Sequence, residues 1–229
     1  MKDRAVIFDM DGVLVDSYRP HLQAWQRMAA AHGLEMTERQ FAASFGRTGR
    51  EIISHLWGDR VQAEDIQGLD EEKEAYYREI LEDSFPEMPG AAWLMEDLHA
   101  AGFALAIGSS GPPANVALVA AKLSAGRLLG ATVNGMEVPR GKPDPAIFLL
   151  AAEKLAVPPR RCVVVEDATA GIVAAHRAGM AAVAVTGTAP REQLAAADLV
   201  VDSLAKLDAA AFAALIDRPR PADSSTSRG

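Results

Sequence analysis

The chain has 229 residues, 49% of them hydrophobic, ample for a packed core in one domain or two. Its 31 acidic and 23 basic side chains give a net charge of -8, which argues against nucleic acid or an anionic membrane surface as a partner. The single cysteine, Cys162, precludes an internal disulfide and fits a reducing compartment.

The first element is the apolar run Ala5-Val6-Ile7-Phe8, which reads as a strand buried on both faces, as in a parallel sheet. Directly behind it stands Asp9-Met10-Asp11-Gly12-Val13-Leu14-Val15-Asp16-Ser17. This places Asp9 and Asp11 at the carboxyl end of the strand, where open α/β sheets bind ligands. Carboxylates crowded there repel one another, and a divalent cation, or a proton kept on one of them, resolves the conflict. Between Ser17 and Pro86 only helices are predicted, over 20–32, 37–45, 50–56 and 70–83. The acidic run 64–74 reads as a solvated helical face. Two of these helices are joined by the basic, glycine-bearing turn Phe45-Gly46-Arg47-Thr48-Gly49-Arg50.

Phe85-Pro86-Glu87-Met88-Pro89-Gly90 punctuates the return to alternating elements. A second buried strand, 104–107, ends at Ser109-Ser110-Gly111-Pro112-Pro113 before a helical stretch over 114–123. A hydroxyl and free N–H groups at a strand-to-helix turn make a phosphate seat. A weaker strand is expected at 131–134, followed by the rigid loop Gly141-Lys142-Pro143-Asp144-Pro145. The third buried run, 162–165, ends at Glu166-Asp167, with a helix following through Gly179. Further strands are expected at 181–185 and 198–201, and 218–229, rich in Pro, Ser and Arg, reads as a disordered tail.

Alternating strands and helices predict an α/β fold, a doubly wound parallel, Rossmann-like sheet with an inserted α-helical domain. The expected boundaries are 1–16 with 87–217 for the α/β core and 17–86 for the helical insertion. No leader of charged then apolar residues opens the sequence, and no apolar run nears the roughly 20 residues of a membrane-spanning helix, so a cytoplasmic location is expected.

Taken together, Asp9-x-Asp11, Ser109, Lys142 and Glu166-Asp167 resemble, in order and local context, the signature of the haloacid dehalogenase-like superfamily. The resemblance is to its helical-cap subclass, which holds phosphatases and β-phosphoglucomutase. It implies Asp9 as nucleophile and Asp11 as general acid and base, with Ser109, Ser110 and Lys142 seating the phosphate. It also implies Mg²⁺ as cofactor, held by Asp9, the Asp11 main-chain carbonyl and Asp167, with Glu166 acting through a water. The inserted helices become a cap that closes on a small phosphorylated metabolite. In the cap, Arg47 and Arg50 are candidates to meet the leaving group. His21 and Trp25, four residues apart on one helical face, resemble positions of the β-phosphoglucomutase branch. Lys73 beside Tyr76 and Tyr77 resembles another.

The expected reaction is Mg²⁺-dependent hydrolysis of a small phosphate monoester through an aspartyl phosphate. A departing halide needs no proton, so the acid at Asp11 favours phosphoryl chemistry over dehalogenation. Retention of Asp9, Asp11 and Lys142 disfavours a catalytically idle phospho-ligand sensor. In the mutase pattern, the segment after the phosphate-binding serine supplies a further hydroxyl and a lysine. Gly111-Pro112-Pro113 supplies neither, which favours a phosphatase over a mutase.

Overall fold

The computed structural model describes residues 2–44 and 47–218. In chain order the main elements are β1 (Arg4–Phe8), α1 (Tyr18–Ala31), α2 (Glu38–Ala43), α3 (Gly49–Trp57), α4 (Ile66–Asp83), α5 (Ala91–Ala100) and β2 (Phe103–Gly108). There follow α6 (Pro113–Lys122), β3 (Leu129–Val133), α7 (Ala146–Lys154), β4 (Cys162–Glu166), α8 (Thr169–Arg177), β5 (Ala181–Val185), β6 (Leu199–Val201) and α9 (Ala209–Asp217). They form two compact units, one running to Leu14 and resuming at Glu87, the other spanning Val15–Pro86.

The first unit is built on one six-stranded sheet of order β3-β2-β1-β4-β5-β6, parallel throughout. A parallel sheet needs helices on both faces, so its central strands read as unbroken apolar runs. Ala5, Val6, Ile7 and Phe8 are fully buried, as are all five residues of β4 and of β5. On one face Ala5, Ile7, Ala106 and Val164 pack against Ile147 and Phe148 of α7 and Ile172 of α8. The chain fills β1, β2 and β3 outward, then crosses to β4 on the other side of β1. That reversal opens a crevice at the carboxyl ends of β1 and β4.

Register brings the motif residues level. Phe8 pairs with Ile107 on one side and with Val165 on the other, and Asp9 N–H donates to the Val165 carbonyl at 2.9 Å. Asp9, Ser109 and Glu166-Asp167 therefore leave three adjacent strands, which neighbour one another at about 4.8 Å spacing.

The second unit holds α1 to α4 around a core of Leu22, Trp25, Met28, Phe41, Ile53, Trp57 and Leu69. Thr37 and Thr48 start α2 and α3 with reciprocal capping boxes to Gln40 and Glu51. Among the described residues no helix is long and apolar enough to cross a membrane.

Several expectations change in detail. The strand expected at 131–134 begins two residues earlier and ends at Val133, where Asn134 caps the following 3₁₀ turn and accepts from Met136 N–H. Asp198 is not in β6, since its carboxylate accepts from Ala182 N–H and so closes the end of β5. The acidic run 64–74 is not one solvated face, because Asp70 is half-buried and Lys73 buried among its members. Helix α9, with Phe212 and Leu215 buried, is an addition to the expected elements of the core domain. Phe45, Gly46 and the tail beyond Arg218 lie outside the described residues.

Ile7, fully buried on the central strand, gives a test of this core. Ile7→Ala is expected to cost about 3 kcal/mol by lost transfer energy plus cavity. Urea unfolding should show a lower midpoint at unchanged slope.

Candidate active site

Lys142 organises the site. It lies on the loop between β3 and α7, and its ammonium donates to Asp9 Oδ1 and to Glu166 Oε1, both at 2.7 Å. The Phe148 ring centroid lies 4.9 Å from the ammonium. Burial alone would push the Lys142 amine down, but the charges of Asp9 and Glu166 outweigh it and hold the value above the usual lysine range.

Asp9, Glu166 and Asp167 each bring a carboxylate oxygen within 4.8 Å of the others. Burial foremost, with the charges of Glu166 and Asp11, pushes Asp9 up to about 7 against the pull of Lys142. Asp167 is raised well above the usual carboxylate range by burial and by the charges of Glu166 and Asp9. Asp11 is half-buried two residues beyond Asp9. Glu166 is pinned, because Oε2 accepts from Asp167 and Ala168 N–H at 2.9 and 2.8 Å while Oε1 holds Lys142. Its carboxylate fits because Gly171 has no side chain, since a Cβ there would lie 1.8 Å from Glu166 Oε1.

Gly12 makes the matching notch on the β1 side. Its φ of +73° is one that side-chain-bearing residues rarely adopt, and a Cβ there would lie 2.0 Å from Asp167 Oδ2 and 2.8 Å from Thr188 Oγ1. Thr188, on the loop after β5, brings its Oγ1 to the same notch as Asp167 Oδ2 and tempers the rise of that carboxyl. No motif in the sequence pointed to Thr188.

Ser109 is buried and its Oγ accepts from Gly111 N–H at 3.1 Å, which leaves the hydroxyl hydrogen to donate elsewhere. Ser110 is exposed. Pro112 and Pro113 open α6 without N–H groups, so this turn presents fewer backbone donors than an ordinary helix start.

Within the helical unit the five cap candidates differ in kind. Trp25 is 2% exposed and packed in that unit's core. Lys73, also buried, donates to Glu74 Oε1 at 2.7 Å and lies 3.0 Å from His21 Nδ1. The His21 ring stacks on Tyr77 with centroids 3.9 Å apart. Arg50 faces Asp70 at 3.8 Å, and burial pushes the Asp70 carboxyl upward. Arg47 is exposed and lines a cavity of about 240 Å³ with Arg39, Gln40, Ser44 and His55. The two arginines of the turn are therefore not equivalent.

Asp9, Glu166 and Asp167 against one ammonium form an all-oxygen, net-negative donor set. Such a set fits a hard divalent cation such as Mg²⁺, which takes one or two carboxylates plus waters and substrate phosphate.

A model of the haloacid dehalogenase-like hydrolases matches residues 4–179, and the chain belongs to that family. It is 33% identical over 209 residues to hexitol phosphatase A of Escherichia coli, covering 90% of this chain and 94% of that one. It is 32% identical over 213 residues to validoxylamine A 7'-phosphate phosphatase of Streptomyces hygroscopicus subsp. limoneus, covering 89% and 95%. The crystal structure of β-phosphoglucomutase from Clostridium difficile superposes with a TM-score of 0.80 at 28% identity, over 94% of this chain and 97% of that one.

The raised carboxyls predict a pH dependence. Asp9 at about 7, and Asp167 raised well above its usual range, keep protons that the unfolded chain, near 3.8, has lost. In the metal-free protein these groups therefore contribute stability at acid pH that fades as pH rises through about 7. A cation must displace those protons, so its binding runs the other way and strengthens as pH rises, by up to about tenfold per pH unit for each proton released. The rise in Tm produced by Mg²⁺ should be larger at pH 8 than at pH 6. Equal increments at both would mean that no proton is displaced.

Proposed function

We propose that this enzyme is a Mg²⁺-dependent phosphatase of small phosphate monoesters, sugar phosphates foremost, acting through an aspartyl phosphate on Asp9. The observation that carries the reading is the buried cluster at the ends of β1 and β4, where one lysine joins Asp9 to Glu166 and Asp167 lies within ligand distance. A phosphoryl group is the substrate such a site suits: it needs a nucleophile, concentrated positive charge and a proton for the leaving oxygen.

In this reading an Asp9 oxygen attacks phosphorus in line, forming the acyl phosphate, while the ester oxygen departs with a proton from Asp11. Asp11, now a base, takes a proton from water. The water oxygen attacks phosphorus, the Asp9–phosphorus bond breaks, and inorganic phosphate leaves. The Lys142 ammonium neutralises charge on the phosphoryl oxygens, and the Ser109 hydroxyl donates to one of them, with exposed Ser110 a lesser donor. The cation, when bound by Asp9, the Asp11 carbonyl and Asp167 with Glu166 behind a water, supplies further charge neutralisation. The relatives named hexitol phosphatase A and validoxylamine A 7'-phosphate phosphatase support the sugar-phosphate preference.

We assign substrate choice to the helical unit, with exposed Arg47 the foremost contact. His21, Trp25, Arg50 and Lys73 shape that unit through the contacts described above. A phosphatase is favoured over a mutase because Gly111-Pro112-Pro113 offers no side-chain donor and lacks two N–H groups. Such a seat holds a second phosphate poorly.

Asp9→Asn should reduce turnover by at least a thousandfold, and excess chelator should abolish it. Beryllium fluoride should label wild type and not Asp9→Asn. On a sugar-phosphate panel, inorganic phosphate should appear without isomerisation. Conversion of β-glucose 1-phosphate to glucose 6-phosphate faster than phosphate release would establish the mutase instead. Arg47→Ala should lower kcat/KM on the best substrate more than on a generic aryl phosphate.

A further inference from the structure

We propose that Thr188 is a positioning residue, whose hydroxyl fixes the Asp167 carboxylate in the orientation that receives the divalent cation. The inference rests on the Mg²⁺ reading and extends it to a residue outside every motif that marks the family.

Asp167 is 5% exposed and faces the carboxylates of Asp9 and Glu166. Lys142 gives its two short hydrogen bonds to Asp9 and Glu166, each at 2.7 Å. A carboxylate so placed is pushed by its neighbours to rotate away from them. Thr188 opposes this from the loop after β5: its Oγ1 and Asp167 Oδ2 converge on the notch above Gly12, which sets the hydroxyl beside the carboxylate it is proposed to hold. One hydroxyl donor leaves the carboxylate most of its acceptor capacity, so a cation can share it.

The loop is able to hold its threonine still. At its start Thr186 N–H donates to the Val201 carbonyl at 2.9 Å, and further on Thr169 Oγ1 at the head of α8 donates to the Gln193 carbonyl at 3.1 Å. A β-branched side chain also has few χ1 states, so the direction of its hydroxyl is set by the backbone. Thr188 itself is exposed, so substitution there does not open the core.

Partners behind a metal ligand are worth about 10- to 100-fold in metal affinity. The test is Mn²⁺ binding followed by electron paramagnetic resonance on the full chain, with no substrate present. Thr188→Val, which keeps the shape and removes the hydroxyl, should weaken Mn²⁺ at least tenfold. Thr188→Ser should stay within about threefold of wild type, and both variants should keep the wild-type circular dichroism spectrum. With saturating metal, kcat of Thr188→Val should recover most of its loss. Wild-type affinity in Thr188→Val, or equal weakening in valine and serine variants, would overturn the assignment. Failure of wild type itself to bind Mn²⁺ would overturn the metal reading instead.

Discussion

Lys142 reaches Asp9 and Glu166 at 2.7 Å from a loop that leaves β3, an edge strand, and passes β2 on its way. The rest of the site depends on that reach. A parallel sheet directs the carboxyl ends of all its strands to one edge, so side chains just beyond β1 and β4 are forced together whatever their charge. Here those side chains are Asp9, Asp11, Glu166 and Asp167. Taking such charges out of water costs several kcal/mol apiece unless they are paired or protonated. One ammonium cannot match them, so the metal-free site keeps protons on carboxyls that would ordinarily have lost them. The cluster is thus an unstable arrangement held by a stable one: β1, β4 and β5 are buried almost throughout, and their packing fixes where the carboxylates stand.

Rigidity of this kind also explains the two glycines. Glu166 folds back on the first turn of α8 only because Gly171 offers no Cβ, and Asp167 enters the Asp9–Asp11 turn only because Gly12 offers none. Each glycine allows a carboxylate to approach backbone closely enough to be pinned. The apolar strands set position to within a strand spacing, and the glycine notches set the orientation. Chemistry that demands in-line attack needs both.

Much of this was readable in the chain because it is local. An apolar run followed at once by acid gives both the strand and the location of the acid at its end, and it did so at Asp9 and at Glu166. Ser109 and Lys142 were legible for the same reason, each sitting in a short, distinctive turn. What escaped depends on contacts distant in sequence. Thr188 follows Asp167 by a whole helix and strand, and nothing near it differs from an ordinary loop. Arg47 and Arg50 look alike in sequence, yet only Arg50 meets Asp70, a partner on another helix. Lys73 stands out in sequence as a cap candidate, but its burial and its contact with His21 of α1 do not.

The acidity of the chain as a whole is consistent with binding an anionic substrate once distance is considered. At physiological ionic strength, exposed charges beyond about 8 Å are largely screened, so the net charge of -8 has little hold inside a cleft. What a phosphate dianion meets is the local balance, and that balance is adverse: two further negative charges would join a cluster that Lys142 alone does not neutralise. Binding of substrate and of a divalent cation are therefore coupled by electrostatics, each lowering the cost of the other. The same coupling bears on the choice between hydrolysis and phosphate exchange. A second phosphate would add two more charges beside a turn where proline has removed two donors. Were Asp9 to carry the phosphoryl group as proposed, water would be the acceptor that this charge balance penalises least.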